Sequence, residues 1–86
     1  MRVTLALFGA YRRFHDGDSI ELACPEGGRV ADLRRALGEY AAAHWPGFDP
    51  ALLARTALAS EEAVLRDGDP MPADGRVAIL PPVSGG

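Results

Sequence analysis

The chain closes on Pro81-Pro82-Val83-Ser84-Gly85-Gly86, and this segment carries the group best suited to chemistry. Two successive glycines have no side chains, so they can thread a narrow cleft and present the α-carboxylate of Gly86 inside it. At glycine's usual frequency of about 7%, a Gly-Gly pair closes roughly 0.5% of chains by chance, so the pair needs support from its surroundings. The carboxylate is ionised at neutral pH, with an unperturbed pKa of about 3.3–3.7. As such it is a poor electrophile. Converted to a mixed anhydride with AMP it becomes reactive, and an attacking sulfur then yields a thiocarboxylate, a nucleophilic sulfur on a protein handle. Gly85 and Gly86 suit that sequence of steps because the activating enzyme must enclose the carboxylate and ATP together.

No other set of residues competes. One cysteine, Cys24, and two histidines, His15 and His44, cannot build a conventional structural zinc site. Cys24 precedes Pro25 and reads as a small packed residue. His44 stands near a helix end, where it caps favourably. The pairs Asp16/Asp18 and Asp67/Asp69 lack a regular oxygen-ligand loop with its closing Glu, so they read as turns. Gly27-Gly28 is not followed by the Lys-Ser/Thr of a phosphate loop. No serine has an evident His and acid partner. The chain is therefore expected not to be an enzyme by itself and to hold no metal and no permanent cofactor. Every basic residue is arginine. With no lysine, the only amine that could accept an acyl group from an activated terminus is the N-terminus.

The elements that must position the tail follow from periodicity. Residues Arg2 to Phe8 alternate Val3, Leu5 and Leu7 against Thr4, Ala6 and Phe8, which predicts a strand with one core face and a second, fairly apolar face. Asp16-Gly17-Asp18 is a turn, and Ser19 to Cys24 is a second strand with Ile20 and Leu22 on one side. Pro25-Glu26-Gly27-Gly28 breaks the pattern. From Val30 to about His44 the period becomes helical, with Val30, Leu33, Leu37, Tyr40 and Ala41 in one stripe and Asp32 in the first turn. Trp45-Pro46-Gly47 ends the helix. Asp49-Pro50 resembles a cap followed by Pro at the first helical position, opening a short second helix through Leu53. Thr56 to Ala59 and Ala63 to Leu65 are short strands around Ser60-Glu61-Glu62.

The last strand, Arg76 to Leu80, runs straight into Pro81 and Pro82. The prolines fix φ, cannot continue a ladder and push Leu80 toward an extended conformation. Six residues leaving the body in that conformation reach about 19 Å at ~3.1 Å each. The order strand, strand, helix, strands predicts an α+β fold, a β-grasp (ubiquitin-like) roll. It has a mixed four- to five-stranded sheet, one main helix and a short second helix. The last strand can pair parallel to the first because the helix supplies the crossover. Residues 1–80 make the domain and 81–86 an extended flexible tail.

Composition agrees. The 86 residues make one small domain, of which roughly 60–65% of the unfolded surface can be buried. A net charge of −3 argues against a general nucleic-acid surface. No window approaches ~18 continuous apolar residues, so no membrane partner is expected. The lone cysteine excludes an internal disulfide framework, and a cytoplasmic location fits best.

The segment Asp74-Gly75-Arg76-Val77-Ala78-Ile79-Leu80-Pro81-Pro82-Val83-Ser84-Gly85-Gly86 resembles the ThiS/MoaD family of ubiquitin-like sulfur carriers, and within it the MoaD small subunits of molybdopterin synthase. The doubled proline with Val-Ser-Gly-Gly is the specific part. Val3-Thr4-Leu5-Ala6-Leu7-Phe8, followed by Arg12 and Arg13, and Pro25 to Leu33 support it. The resemblance implies a set of partners. A MoeB-like, E1-type adenylyltransferase would use ATP to adenylate Gly86, and a sulfurtransferase would supply sulfur for a C-terminal thiocarboxylate. A MoaE-like catalytic subunit, in a heterotetramer, would receive that sulfur for the dithiolene of molybdenum cofactor. Gly85, Ser84, Val83, Pro82 and Pro81 would shape the inserted tail, and Phe8 and Leu80 are candidates for the partner-binding face. A sulfur carrier for cysteine, thiamine, tRNA thiolation or a sulfur-containing natural product remains open. So do a ubiquitin-like modifier of proteins and a simple binding module.

Overall fold

The alternation of β1 (Arg2–Leu7) produces the sheet's central layer: Val3, Leu5 and Leu7 are buried while Thr4 and Ala6 face the other way. The computed structural model describes residues 1–80, and the tail expected over 81–86 lies outside the described residues. β2 (Ser19–Ala23) pairs antiparallel to β1, with Leu5 opposite Ile20. β3 (Ala57–Ala59) and β4 (Val64–Leu65) are short and antiparallel to each other. β5 (Arg76–Leu80) lies between β1 and β3, parallel to the first and antiparallel to the second. The five-stranded order is β2-β1-β5-β3-β4, so the last strand is central.

One face of this sheet is covered by α1 (Val30–His44). Its stripe of Val30, Leu33, Leu37 and Ala41 is fully buried against Val3, Leu5, Leu22, Leu58, Val77 and Ile79. Each large side chain so buried contributes about 1.5–3 kcal/mol relative to exposure. Tyr40, expected in the same stripe, is only half-buried, because it sits at the stripe's edge beside His15 and Trp45. The helix starts without a Ser or Thr cap. Its orphan amides are met from a distance instead: Val30 N–H donates to the Asp69 carbonyl at 2.9 Å and Ala31 N–H to that of Asp67 at 2.9 Å. The Asp32 carboxylate reaches back to the Arg29 N–H at 2.8 Å. That is half of a capping box, since an arginine side chain has no acceptor to complete it. α2 (Pro50–Ala54) is capped as expected, Asp49 accepting from Ala51 N–H at 2.9 Å.

One expectation is corrected, and one residue takes a second role. β1 stops at Leu7 instead of Phe8, because Gly9 at φ +58° turns the chain into a 3₁₀ helix, Gly9–Arg13, that periodicity did not reveal. That helix exists to place Tyr11, which is fully buried. Trp45 ends α1 as expected but is also core, 2% exposed. It gathers the rings of Tyr11, Phe14, Tyr40 and Phe48 at centroid distances of 5.5–6.0 Å.

The turn into β5 leaves no room for a side chain. Gly75 has φ +67°, its carbonyl accepts from Thr4 N–H at 2.7 Å, and a Cβ there would stand 2.9 Å from the Arg2 carbonyl oxygen. Gly75→Ala is therefore expected to destabilise the protein by about 1–3 kcal/mol, through αL strain and a backbone clash that no rotamer relieves. Chemical denaturation checks it, and an unchanged midpoint would show that this turn relaxes freely.

Candidate functional site: the outer sheet face and the root of the tail

With α1 on one side, the other face of the sheet has no cover among the described residues. The registers put Thr4 and Ala6 of β1, Ala78 and Leu80 of β5, and Ala57 and Ala59 of β3 on it. Four of these six are alanines, so the face has a shallow hollow, lined by Thr4, Ala6, Ala59 and Ala78 and bordered by Glu61 and Arg76. Three large apolar side chains stand exposed: Phe8 at 47%, Leu80 at 38% and Val64 at 64%. Ala59 pairs with Val64, which puts Val64 on the same face. Phe8 is extended at φ −133° and ψ 156°, so the alternation of β1 carries through it and its side chain joins this face. Leu7 pairs with Ile79, and Phe8 and Leu80 therefore share one end of the sheet. That end is where the chain leaves β5 toward Pro81. The structure thus brings Phe8 and Leu80 together, while Pro81, Pro82, Val83, Ser84, Gly85 and Gly86 lie outside the described residues.

The root of the tail is fixed by polar contacts that sequence reading missed. Thr56, just before β3, is buried, and its hydroxyl donates to the Leu52 carbonyl at 2.7 Å. A hydroxyl has one proton, so the 2.6 Å contact between Tyr11 and Thr56 is a phenol donating to Thr56 Oγ1. Burial raises the Tyr11 pKa, with the Thr56 hydrogen bond and the Arg34 charge acting against it. Arg34 donates to the carbonyls of Leu53 at 2.8 Å and Thr56 at 2.9 Å, and to Asp67 at 3.0 Å. One guanidinium thus ties α1, the end of α2, the start of β3 and the loop before β5. No spacing rule links residues 11, 34, 56 and 67, and only the fold makes them neighbours.

The residues set aside in the sequence are occupied with structural work. Cys24 is buried and bonded through its backbone, its N–H to the Met1 carbonyl at 2.7 Å. Burial pushes its thiol pKa up, the Met1 ammonium opposing and Asp32 adding to the rise. That ammonium donates to the Cys24 carbonyl at 2.8 Å and lies 3.3 Å from Glu26. Asp67 pairs with Arg34, and Asp69 accepts from the Arg66 N–H at 2.8 Å, so both serve the turn. His44 stands in the last turn of α1 with its ring 4.4 Å from that of Tyr40.

The model of the ThiS family matches residues 5–86, nearly the whole chain and with it both the sheet and the tail. The chain belongs to the ThiS family. Membership makes it a small protein of the sulfur-carrier and ubiquitin-like class. Among solved structures, the crystal structure of SAMP1 from Haloferax volcanii superimposes with a TM-score of 0.74 over 100% of both chains, at 19% identity. At that identity the likeness shows the fold, a β-grasp roll as the order of elements predicts. No curated protein matches the chain at a significant level. No helix among the described residues of this ThiS-family protein is long and apolar enough to cross a membrane.

Proposed function

We propose that this ThiS-family protein carries sulfur as a thiocarboxylate on Gly86 and serves as the small, MoaD-type subunit of a molybdopterin synthase. The observation that carries the reading is the end of β5, the strand that precedes the tail in sequence. Pro81-Pro82-Val83-Ser84-Gly85-Gly86 follows a central strand that ends beside exposed Phe8 and Leu80 on an uncovered apolar face. A body that docks by that face can hold the tail extended into a partner's cleft. Such a patch on a small protein commonly marks a docking site.

In this reading a MoeB-like adenylyltransferase binds the carrier with ATP. The Gly86 carboxylate attacks the α-phosphorus, pyrophosphate leaves, and an acyl-adenylate forms. A persulfide on a sulfurtransferase then attacks the acyl carbon, AMP leaves, and a thiol reductant cleaves the resulting acyl disulfide to free the thiocarboxylate. The carrier next presents its thiocarboxylate to a MoaE-like subunit, which uses the sulfur to build the dithiolene. Gly85 gives clearance, Pro81 and Pro82 hold the tail straight, and Val83 and Ser84 fit the cleft walls. ATP is consumed by the partner, and the carrier's only permanent chemistry is its terminus.

The test is the mass of the C-terminal peptide after incubation with the adenylyltransferase of the same genome, ATP and a sulfur source. The expected result is replacement of one oxygen of Gly86 by sulfur, with the product reacting as a thioacid toward a sulfonyl azide. Oxidation shifts the mass almost equally, so the change must be localised to Gly86. An unmodified terminus, under conditions that convert a reference carrier, would overturn the reading. Conversion with no transfer to a MoaE-like subunit would leave a sulfur carrier for another product. Conjugates of higher mass dependent on Gly86 would mark a protein modifier.

A further inference from the structure

The outer face of the sheet holds a ridge and a matching trough, and the strand registers give their spacing. Across the end nearest the tail runs the ridge, Phe8, Leu80 and the smaller Ala57, side by side because Leu7 pairs with Ile79 and Leu80 with Ala57. Two residues away along the same three strands runs the trough, Ala6, Ala78 and Ala59, which pair in the same way and line the hollow. Ridge and trough therefore lie about 7 Å apart on every one of these strands. A two-fold axis parallel to the ridge, midway between the two rows, sets Phe8 of one copy over Ala6 of the other, Leu80 over Ala78 and Ala57 over Ala59. The reverse contacts form at the same time. Such an interface is isologous and closes at two copies. Side chains of stacked sheets interdigitate in this manner, with the sheets about 10 Å apart.

The same operation matches charge. Arg55 precedes Ala57 by two residues and Glu61 follows Ala59 by two, so the axis that sets Ala57 over Ala59 brings Arg55 of each copy toward Glu61 of the other. Both are exposed, and among the described residues neither lies within 4.0 Å of an opposite charge. On the face itself Arg2 and Arg76 balance Glu21 and Glu61, so the chain's net charge of −3 does not set one face against the other. Five strands at about 4.8 Å make the face about 19 Å wide, and ridge plus trough span about 13 Å, which projects to roughly 250 Å² per copy. A standard interface covers about 800 Å² per partner, so this contact is weak and yields to a larger one on the same face. We propose that the protein pairs with a second copy of itself, ridge into trough, in a reversible two-fold dimer that covers its outer sheet face. The pairing uses no residue of the tail and does not depend on the sulfur chemistry proposed above.

The experiment is sedimentation equilibrium of the full chain from about 5 μM to about 1 mM. The expected result is a monomer at the low end and one monomer–dimer equilibrium, half-complete between about 0.1 and 1 mM, with no larger species. Ala78→Arg puts a charge in the trough and should raise the dissociation constant by about tenfold or more. Ala42→Arg, on the exposed side of α1, changes the net charge equally and should leave the constant within about twofold. Glu61→Arg should weaken the dimer by about threefold, and adding Arg55→Glu should restore it. Circular dichroism checks each fold. If Ala78→Arg does not fold, Phe8→Asp, outside the core, tests the ridge with the same expected loss. A chain still monomeric at about 1 mM overturns the proposal. So does growth beyond two copies, or weakening by Ala42→Arg equal to that by Ala78→Arg. A charge reversal that the second substitution fails to restore overturns the two-fold arrangement.

Discussion

Gly85→Val is expected to lower the rate of adenylation by about 100-fold or more while leaving the melting temperature where it was. The fold should not notice the change, because among the described residues the last buried side chain is Ile79 and a glycine has no side chain to lend a core. Activation should notice it strongly. Valine adds a branched Cβ that stiffens the side chain and restricts the backbone to extended conformations. A cleft shaped to close on a glycine next to a carboxylate and ATP has no room for two extra methyl groups, and a misplacement of about 1 Å at a reacting centre costs about 100-fold. ATP–pyrophosphate exchange and thermal unfolding, measured on the same preparation, separate the two effects. A large fall in melting temperature would mean that the tail packs against the body. Normal exchange would mean that clearance at this position is unimportant.

The second large effect concerns the body. Phe8→Asp is expected to weaken binding to the MoaE-like subunit by about 100-fold, through loss of a buried aromatic anchor and burial of a charge in an apolar interface. The position makes the variant usable, since Phe8 is 47% exposed, lies beyond the end of β1 and is no part of the core. A protein lacking Gly85 and Gly86 should behave in the opposite way, retaining most of the affinity and losing all sulfur transfer. Calorimetric titration of both variants, with circular dichroism on each, gives the comparison. A folded Phe8→Asp protein of unchanged affinity would show that the partner uses another surface.

Local rules were enough wherever the physics was local. Leu5 and Leu7 alternate because a strand has period two, Leu33, Leu37 and Ala41 repeat because a helix does, and Asp49-Pro50 opens α2 because the cap and the fixed φ act within two residues. The parallel pairing of β5 with β1 was also legible, from the helix that must cross between parallel strands. The root of the tail was not. Tyr11 and Thr56 are separated by 45 residues and Arg34 and Asp67 by 33, and neither pair leaves a periodic trace. The start of α1 at Val30 was legible, but not its capping, since its amides are met by carbonyls of residues 67 and 69 instead of by a Ser or Thr at the cap. On the outer face, Phe8, Ala6 and Leu80 were visible as apolar positions, but Ala57, Ala59 and Val64 joined them only through register.

The position of β5 also bears on synthesis. The strand between β1 and β3 is made of residues 76–80, so neither half of the sheet has its partner until those residues leave the ribosome. A chain interrupted earlier leaves one edge of β1 and one edge of β3 without the strand that joins them and becomes a substrate for proteolysis. Copies that end before residue 76 therefore lack the central strand and the fold that presents the outer face.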